Sequence, residues 1–347
     1  MMEIAAFQNS LWGNVAIFAV CTLVIGVLGT RLTHIADQLA DRTGVGEALV
    51  GGVLLGAVTS LSGSVLSVSA AWNGMPELAL SNAFGGMAAQ MAFLAVADIC
   101  YRKANLEHAA ASPENMLQGA LLVCVLAMVL MASFGPEWSF FGVHPATPLM
   151  VATYAYGMYL VRKSRKTPMW KPKETSETRT DVPEERNQRM SLGRLLFRFS
   201  TYALALGVAG WLLQRSAAVI VDNSPLNEAV MGALFTSVAT SLPELVTSIA
   251  AVRRGALTLA VSGIIGGNAY DTLFAAFSDV AYRPGSIYHT MTPTLSFWIA
   301  ANLLMSGVLI MGQLFRQRRG IGNIGFESAA VLAIYAVSSY VLLATNL

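Results

Sequence analysis

Two carboxylates lie deep within apolar stretches of this 347-residue sequence, away from any basic neighbour. Glu244 and Asp271 each stand well inside a hydrophobic run, with no Lys or Arg within one helical turn. A carboxylate at the centre of a membrane-spanning helix costs roughly 2.5 kcal/mol or more on insertion scales, and such a group by default faces an ion pathway. The positions of these two acids therefore predict a buried site for a cation.

The residues around Glu244 predict an interrupted helix that offers oxygen ligands. Pro243 has no backbone N–H, so it frees the carbonyl oxygen of Ala239 four residues earlier. Broken helices at membrane depth are tolerated where they line a cavity. Thr240 and Glu244 are spaced i, i+4 and project from one helix face. This stretch therefore predicts a hydroxyl and a carboxylate beside free backbone carbonyls.

A second stretch places similar chemistry around Asp271. The pair Gly266-Gly267 would let a neighbouring helix approach closely, just before Asn268 and Asp271 supply an amide and a carboxylate. Carboxylate, amide, hydroxyl and backbone oxygens together form the ligand shell that hard cations prefer. The other interpretation is a buried polar network that holds helices together, although two unpaired carboxylates would be a costly way to do so.

The composition places these residues in a membrane protein. Hydrophobic residues make up 55% of the sequence and charged residues 12%, against roughly 25% charged in ordinary soluble domains. A net charge of +2 is too small to favour nucleic-acid binding, which depends on neutralising phosphates. The three cysteines lie in apolar runs without metal-ligand or disulfide spacing, and no nucleophile or metal triad suggests an enzyme.

Ten apolar runs approach the roughly 20 residues that a helix needs to cross a hydrocarbon core. The fifth is the weakest, because it is short and prolines blur its start. The sequence therefore predicts an all-α integral membrane protein with ten transmembrane helices. The runs are Leu11–Thr30, Val45–Ser69, Leu78–Cys100, Leu117–Ser133, Ala146–Val161, Leu195–Val221, Asn227–Val252, Leu257–Tyr282, Thr292–Phe315 and Ala329–Asn346.

The basic residues support the ten-span layout. With ten spans, twenty of the 22 Lys and Arg residues fall on one side, and only Arg215 and Arg283 fall on the other. Such segregation is the positive-inside pattern, and it predicts a multi-pass protein of the inner or plasma membrane with both termini outside. No Lys or Arg precedes the first run, which therefore predicts a retained helix rather than a cleaved signal peptide.

An internal repeat is visible when the chain is shifted by 181 residues. Residues 47–102 then align with residues 228–283 without a gap, with 21 identities in 56 positions. Five spans separate equivalent helices, so one copy would be inverted in the membrane, which is an architecture of secondary transporters. The predicted organisation is a first repeat at 1–162, a polar cytoplasmic linker at 163–193 and a second repeat at 194–347.

Other charged residues of the repeats predict structural roles. Asp98 with Arg102 and Asp279 with Arg283 are spaced i, i+4, which is typical of ion pairs on a helix surface. Glu47 and Glu228 stand in first helical turns, where a carboxylate suits the positive end of the helix dipole. Ser224-Pro225 predicts the cap that precedes Glu228.

Two motifs of the second repeat resemble a known family. The run Thr240-Ser241-Leu242-Pro243-Glu244-Leu245, followed by Gly266-Gly267-Asn268-Ala269-Tyr270-Asp271, is similar to the second alpha repeat of the calcium/cation antiporter superfamily, the sodium/calcium exchanger type. The likeness implies two inverted five-helix halves and exchange of a cation against Na+ or H+. It also implies ion ligands at Glu244, Asn268 and Asp271, at Thr240 and Ser241, and at Thr59 and Ser60 of the first repeat.

The first repeat departs from the family pattern. Ser62-Gly63 stands where the family has Pro-Glu, and Gly85-Gly86-Met87 replaces the glycine-serine-asparagine run, with Gln90 at the closing position. One of two signature glutamates is therefore missing. Because Ca2+ takes 6 to 8 oxygens and its affinity follows the number of carboxylates, the site is expected to be charge-neutral with Ca2+ but poor in oxygen.

Together, these features predict a secondary antiporter that exchanges Ca2+ for Na+ or H+ by alternating access. Glu244 would be the principal ligand, Asp271 the second charge, and Gln90 and Asn268 neutral ligands along with the threonines. The expected partners are lipid and inorganic cations; no cofactor and no nucleic acid are expected, and the oligomeric state is not predicted. The alternatives are a monovalent-cation or other divalent-metal exchanger, or a non-transporting protein with this fold.

Overall fold

A computed structural model describes residues 10–43, 56–101, 103–173, 175, 191–320 and 324–346. The described residues are helical and contain no β-strand, only one isolated bridge between Phe140 and Val143. The helices are α1 (Leu11–Thr43), α2 (Gly56–Thr59), α3 (Leu61–Trp72), α4 (Pro76–Cys100), α5 (Leu106–Ala110), α6 (Pro113–Phe134), α7 (Ala146–Lys166), α8 (Leu192–Asp222), α9 (Glu228–Val230), a π-helical turn (Met231–Thr236), α10 (Ser237–Thr240), α11 (Leu242–Arg254), α12 (Leu257–Asp271), α13 (Leu273–Ala281), a 3-10 turn (Ile287–Thr290), α14 (Pro293–Phe315) and α15 (Phe326–Asn346).

Six of these helices are long and apolar enough to cross a membrane. They are α1, α4, α6, α8, α14 and α15; the broken helix from Glu228 to Arg254, bent by 44°, would be a seventh. The all-helical membrane fold is as predicted. The count of ten spans stays a prediction. The seventh and eighth predicted runs form broken helices, and the fifth forms α7, which is 21 residues long but is not among the helices apolar enough to cross a membrane. Part of the second run, 45–55, lies outside the described residues.

Helix α4 forms the centre of the fold. It packs against α3, the broken helix α9–α11, α12, α13, α14 and α15, and nearly all of its side chains are buried. Its seven alanines and the pair Gly85-Gly86 allow such close approach of neighbouring helices. Helix α8 packs instead along α1 and α3 at the side of the molecule. The most buried helix therefore carries Gln90, whereas Thr59 ends α2 and Ser60 lies in the break between α2 and α3.

Equivalent positions of the two repeats share backbone structure. Gly74 and Gly255 both adopt the left-handed region, with φ of 77° and 86°, and both end a helix before a tight turn. Ser60 and Ser241 break their helices with nearly the same geometry, φ −85°, ψ 6° and φ −95°, ψ 5°. Only the second break is followed by a proline, Pro243, whereas Ser62 stands at the equivalent position after the first break. The break therefore follows the position in the repeat and does not require the proline.

Asp98 and Asp279 also match each other, but not as surface ion pairs. Asp98 accepts hydrogen bonds from the N–H groups of Leu106 (2.7 Å) and Gly325 (3.2 Å). Asp279 accepts from the N–H groups of Ile287 (3.2 Å) and His144 (2.8 Å), which lie 181 residues from those two partners. Both carboxylates are fully buried. The predicted ion pairing at the helix surface is therefore wrong, since burial makes backbone amides the available partners.

The predicted partner of Asp279 lies elsewhere. Arg283 lies over the ring of Trp72, with its Cζ atom 5.8 Å from the ring centroid, and Arg102 lies outside the described residues. Glu47 also lies outside them, whereas Glu228 accepts a hydrogen bond from the N–H of Leu78 at 3.0 Å.

The helix that starts at Glu228 has another cap than the predicted one. Asn227 is the N-cap residue, and its Oδ1 atom accepts a hydrogen bond from the N–H of Val230 at 2.9 Å. The cap predicted at Ser224-Pro225 is wrong, because the chain reaches the helix only two residues after the proline.

Candidate functional site

The two helix breaks and α4 bring residues of both repeats together. Ser60 lies between α2 and α3, and Ser241 lies between α10 and α11. Gly267 of α12 lies close to both α2 and α4: a Cβ atom added there would be 3.5 Å from Gln90 Oε1, and one added at Gly56 would be 3.5 Å from Gly267 Cα. The predicted close approach at the glycine pair is present, and it places the motifs of the two repeats against each other.

Glu244 lies in the first turn of α11, where the positive end of the helix dipole favours a carboxylate. Its side chain is only 3% exposed, and neither carboxylate oxygen accepts a hydrogen bond within the described part of the chain. The hydroxyls of Thr59 and Ser60, from the first repeat, face this carboxylate. Glu244 is therefore a buried acid surrounded by oxygen atoms.

Asp271 ends α12 and is 2% exposed. Its Oδ2 atom accepts a hydrogen bond of 2.6 Å from Nε2 of Gln90, the residue that stands at the equivalent position of the first repeat. Its Oδ1 atom accepts none within the described residues, and the Ser60 hydroxyl faces the carboxylate. The closing residues of the two motifs thus contact each other directly, one charged and one neutral.

The two side-chain amides of the site donate hydrogen bonds through their N–H groups and leave their carbonyl oxygens without a hydrogen bond within the described residues. Asn268 Nδ2 donates to the carbonyl of Met87 at 3.1 Å, and Gln90 Nε2 donates to Asp271 and, at 3.3 Å, to Ser241 Oγ. Within the described residues, six buried oxygens of the site accept no hydrogen bond. They are Glu244 Oε1 and Oε2, Asp271 Oδ1, Asn268 Oδ1, Gln90 Oε1 and Ser60 Oγ.

The threonines of the two motifs are turned partly toward their own helices. Thr240 Oγ1 donates to the carbonyl of Ser237 at 3.2 Å, and Thr59 Oγ1 donates to the carbonyl of Gly56 at 3.1 Å. Both side chains are buried, and each hydroxyl oxygen keeps lone pairs. Thr59 faces Glu244, so all eight predicted residues belong to one buried region, with Thr240 tied mainly to its helix.

Gly63 occupies the position equivalent to Glu244, and an aromatic ring fills the space beside it. A Cβ atom added at Gly63 would lie 3.0 Å from Cε2 of Phe274 and 3.5 Å from Oγ1 of Thr240. A longer side chain at Gly63 would therefore require Phe274 to move. The missing glutamate of the first repeat is compensated in volume, but not in charge.

The electrostatics of the site are those of two acids without a base. Glu244 and Asp271 lie close enough to repel each other. No Lys, Arg or His of the described residues pairs with either acid, and no group of three His, Cys, Asp or Glu side chains there is arranged as a metal site. Unpaired charge is costly in a buried position. The region can therefore hold a cation with two carboxylates and several neutral oxygens.

A neighbouring polar network, not anticipated from the sequence, is fully paired. Asn82 of α4 donates to Ser67 Oγ at 2.9 Å and accepts from Thr236 Oγ1 at 2.8 Å. The repeat alignment places Asn82 opposite Gly263, so it gave no signal for this residue. Because its partners are satisfied, this network holds α3, α4 and the π-helical turn together rather than extending the oxygen cluster.

A family profile matches most of the chain. The profile of the family described as "Sodium/calcium exchanger protein" matches residues 13–161 and 195–344. The inner membrane protein YrbG of Escherichia coli (strain K12) is 24% identical over 283 residues, covering 78% of this chain and 82% of the relative.

Two solved structures share the fold. The crystal structure of the H+/Ca2+ exchanger CAX superposes with a TM-score of 0.71 at 12% identity, covering 96% of this chain and 85% of that one. A structure of the sodium-calcium exchanger NCX_Mj, soaked with Na+ and without Ca2+, gives 0.58 at 17% identity, covering 97% and 99%. At these identities, the likeness establishes the fold.

Proposed function

Because the chain belongs to the sodium/calcium exchanger protein family, we propose that it exchanges Ca2+ for Na+ or H+ by alternating access. Proteins of this family are cation exchangers rather than enzymes, and the ions are substrates, not cofactors. Multiple long apolar helices make the chain a multi-pass membrane protein.

One observation carries the proposal: two buried carboxylates without a basic partner lie among oxygen atoms that accept no hydrogen bond within the described residues. A divalent cation would neutralise Glu244 and Asp271 together. Asn268, Gln90, Ser60 and the other hydroxyls would add neutral oxygens, which suits Ca2+ better than softer metals. Glu244 would be the principal ligand, since both of its oxygens are available.

Exchange follows when two kinds of ion compete for these oxygens. A cavity that holds two uncompensated carboxylates would be unfavourable to close, so the protein would reorient only when Ca2+, Na+ or protons compensate the charge. Binding of one ion would then require release of the other. This competition couples the two fluxes without a second site.

The proposed architecture is a pair of inverted repeats, 1–162 and 194–347, with ten spans, a cytoplasmic linker at 163–193 and both termini outside. The matching breaks at Ser60 and Ser241 and the matching backbone contacts of Asp98 and Asp279 support the repeat. The segregation of Lys and Arg supports the orientation.

A second candidate is the exchange of monovalent cations or of another divalent metal. It is favoured by Gly63 and Phe274, which leave the first repeat without a carboxylate at the position equivalent to Glu244. A site with one glutamate and one aspartate suits ions that need fewer charged oxygens than Ca2+ does. Competition of Na+, K+, Mn2+ and Mg2+ against Ca2+ distinguishes the two candidates.

The test is gradient-driven ion uptake by the purified protein in proteoliposomes. Wild-type protein is expected to take up Ca2+ when a Na+ or proton gradient is applied, and Glu244→Gln is expected to abolish the uptake. Glu114→Gln is a matched control, since Glu114 lies in the first turn of α6, outside the oxygen cluster. Undiminished exchange by Glu244→Gln would remove Glu244 from the mechanism, and no uptake of any tested cation by wild-type protein would favour a non-transporting role.

A further inference from the structure

A groove lies at the side of the molecule between α3, α8 and α13, and we call it the lateral groove. Its volume is about 600 Å³, and none of the proposed ion ligands lines it. The exchange mechanism does not use it. Its main walls are formed by Ser64, Val68 and Trp72 of α3, Trp211 and Arg215 of α8, and Phe277 of α13.

The lateral groove runs along helices that belong to the membrane. Ser64, Val68 and Trp72 are spaced i, i+4, i+8, so one face of α3 lines the groove over about 12 Å. Helix α8 is long and apolar enough to cross a membrane. An elongated, mainly apolar groove on the side of such a helix is open to surrounding lipid, whose acyl chains can fill it.

Arg215 places a positive charge in this groove. It lies inside α8, and the helix continues for roughly 10 Å to its last residue, Asp222. Arg215 is exposed, and its Cζ atom lies 5.0 Å from the ring centroid of Trp211. It forms no hydrogen bond or ion pair with another described residue. Because charges within spanning helices are costly unless they are paired, this guanidinium needs an anion from outside the chain.

The acids of the three helices do not supply that anion. Helix α3 contains no acid, Asp222 is the only acid of α8, and Asp279 is the only acid of α13. Asp279 is fully buried and accepts hydrogen bonds from backbone amides on the other side of its helix. Asp222 stands two helical turns beyond Arg215. The lateral groove is therefore positively charged, without a carboxylate among its walls.

A second guanidinium lies near the same end of the groove. The Cζ atom of Arg283 lies 5.8 Å from the ring centroid of Trp72, and Arg283 has no acid partner among the described residues. Gln214, next to Arg215, accepts a hydrogen bond from Asn73 at 3.3 Å. Since Asn73 directly follows Trp72, this bond places Arg215 at the level of the last turn of α3.

The aromatic residues of the groove suit a position at a membrane surface. Trp72 is 66% exposed and Trp211 is 42% exposed, and tryptophan is enriched where lipid headgroups meet the hydrocarbon. Arg215 and Arg283 are also the two bases that the ten-span layout places on the side opposite the linker. The charged end of the groove is therefore expected at the headgroups of that leaflet.

The other repeat does not share these residues. The shift of 181 residues places Arg253 opposite Trp72 and Arg254 opposite Asn73. The repeated fold therefore forms without an aromatic ring at this position. This difference makes the lateral groove a feature of one side of the molecule, and it provides Arg253 as a matched control.

We propose that the lateral groove binds an anionic phospholipid. One acyl chain would lie along Val68 and Phe277, and the phosphate would accept charge-assisted hydrogen bonds from Arg215 and Arg283. A choline headgroup would bring its own positive charge to a place with two guanidiniums and no carboxylate in the groove wall. A headgroup without a cation, as in phosphatidylglycerol, is therefore preferred.

The test measures the melting temperature of the purified protein in detergent as lipid is added, without Ca2+ and without an ion gradient. Phosphatidylglycerol and phosphatidylcholine with identical chains are compared, and the rise in melting temperature gives an apparent affinity for each. We expect phosphatidylglycerol to bind wild-type protein about tenfold more tightly, in line with hydrogen bonds between charged groups. Arg215→Gln is expected to lose this preference.

Further variants separate a built site from general charge attraction. Arg215→Lys keeps the charge but not the planar fork, so it should retain part of the preference. Arg253→Gln removes the same charge from the other repeat and is expected to behave as wild type. Inorganic phosphate at the same concentrations is expected to leave the melting temperature unchanged, because it has no chain to fill the groove.

Three results would overturn the proposal. They are equal affinity of wild-type protein for the two lipids, equal loss of preference in Arg253→Gln and Arg215→Gln, and stabilisation by inorganic phosphate as large as that by phosphatidylglycerol. Because no transported ion is present, these outcomes do not depend on whether Glu244 and Asp271 bind a cation.

Discussion

The two repeats share a backbone but differ in charge at the position where the ion would bind. Ser60 and Ser241 break their helices with nearly the same dihedral angles, yet only the second break is followed by a proline and a glutamate. Gly63 stands opposite Glu244, and Gln90 opposite Asp271. The comparison teaches that the fold fixes where the helices open, while a few side chains decide how much charge lies there.

The largest expected effect comes from removing the charge of the second repeat at Glu244. Glu244→Gln keeps the volume but removes a charge and one strong acceptor, so exchange should fall at least about 100-fold, or about 2.7 kcal/mol. Ion uptake in proteoliposomes measures it. Thermal melting of the same preparation serves as a control for folding, and uptake within threefold (~0.7 kcal/mol) of wild type would contradict the prediction.

Gln90 and Asp271 close the motifs of the two repeats, and exchanging them moves one negative charge from the second repeat to the first. Asp271→Asn removes the second negative charge and should reduce exchange about 30-fold, or about 2 kcal/mol. The double variant Gln90→Asp/Asp271→Gln keeps the number of charges and moves one to the first repeat. We expect it to recover a large part of the activity, and equal loss in both variants would show that position matters more than charge.

Restoring the first-repeat acid should tighten the binding of Ca2+. Gly63→Glu alone meets the ring of Phe274, so the double variant Gly63→Glu/Phe274→Ala is the appropriate test. A third carboxylate should raise Ca2+ affinity about tenfold, or about 1.4 kcal/mol, and should raise it more than Na+ affinity. Phe274→Ala alone is the control, and calorimetric titration of the two proteins gives the difference.

The smallest effect is expected at Pro243. Because Ser60 breaks its helix without a following proline, Pro243→Ala should leave the break in place and should change the free energy of unfolding by less than about 1 kcal/mol, as first-turn proline contributes little to a helix. Chemical unfolding in detergent measures it. Destabilisation beyond about 3 kcal/mol, the cost of a disrupted helix interior, would show that the two breaks differ in origin.

Hydrophobic length was enough to predict an all-helical membrane fold, and the positions of the acids were enough to predict that Glu244 and Asp271 are buried. The ten spans and the ion ligands stay predictions. Glu244 and Asp271 stood out because unpaired acids are rare within apolar runs, and the matched glycines fixed the alignment of Gln90 with Asp271. Other features depend on contacts between distant segments. The backbone partners of Asp98 and Asp279, and the ring of Phe274 beside Gly63, come from residues far along the chain.

The burial of Glu107 and Glu327, which lie outside the ion site, also depends on contacts between distant segments. Glu107 and Glu327 lie 220 positions apart in the sequence, and each stands at the end of a polar loop, where a solvated carboxylate is the ordinary expectation. The packing of α5 against α12 and α14, and of α15 against α4 and α14, buries them. Their burial was therefore not predictable from hydrophobic pattern alone.

The most direct test of the central claim is the thermal stability of the purified protein across a series of cations. A cation that binds only the folded form stabilises it by about 2.7 kcal/mol at 100 times its dissociation constant. We predict that Ca2+, and less strongly Na+, raises the melting temperature of wild-type protein but not that of Glu244→Gln/Asp271→Asn. Equal stabilisation of both proteins, or none of wild type by any cation, would contradict the proposal that the two buried acids bind a transported ion.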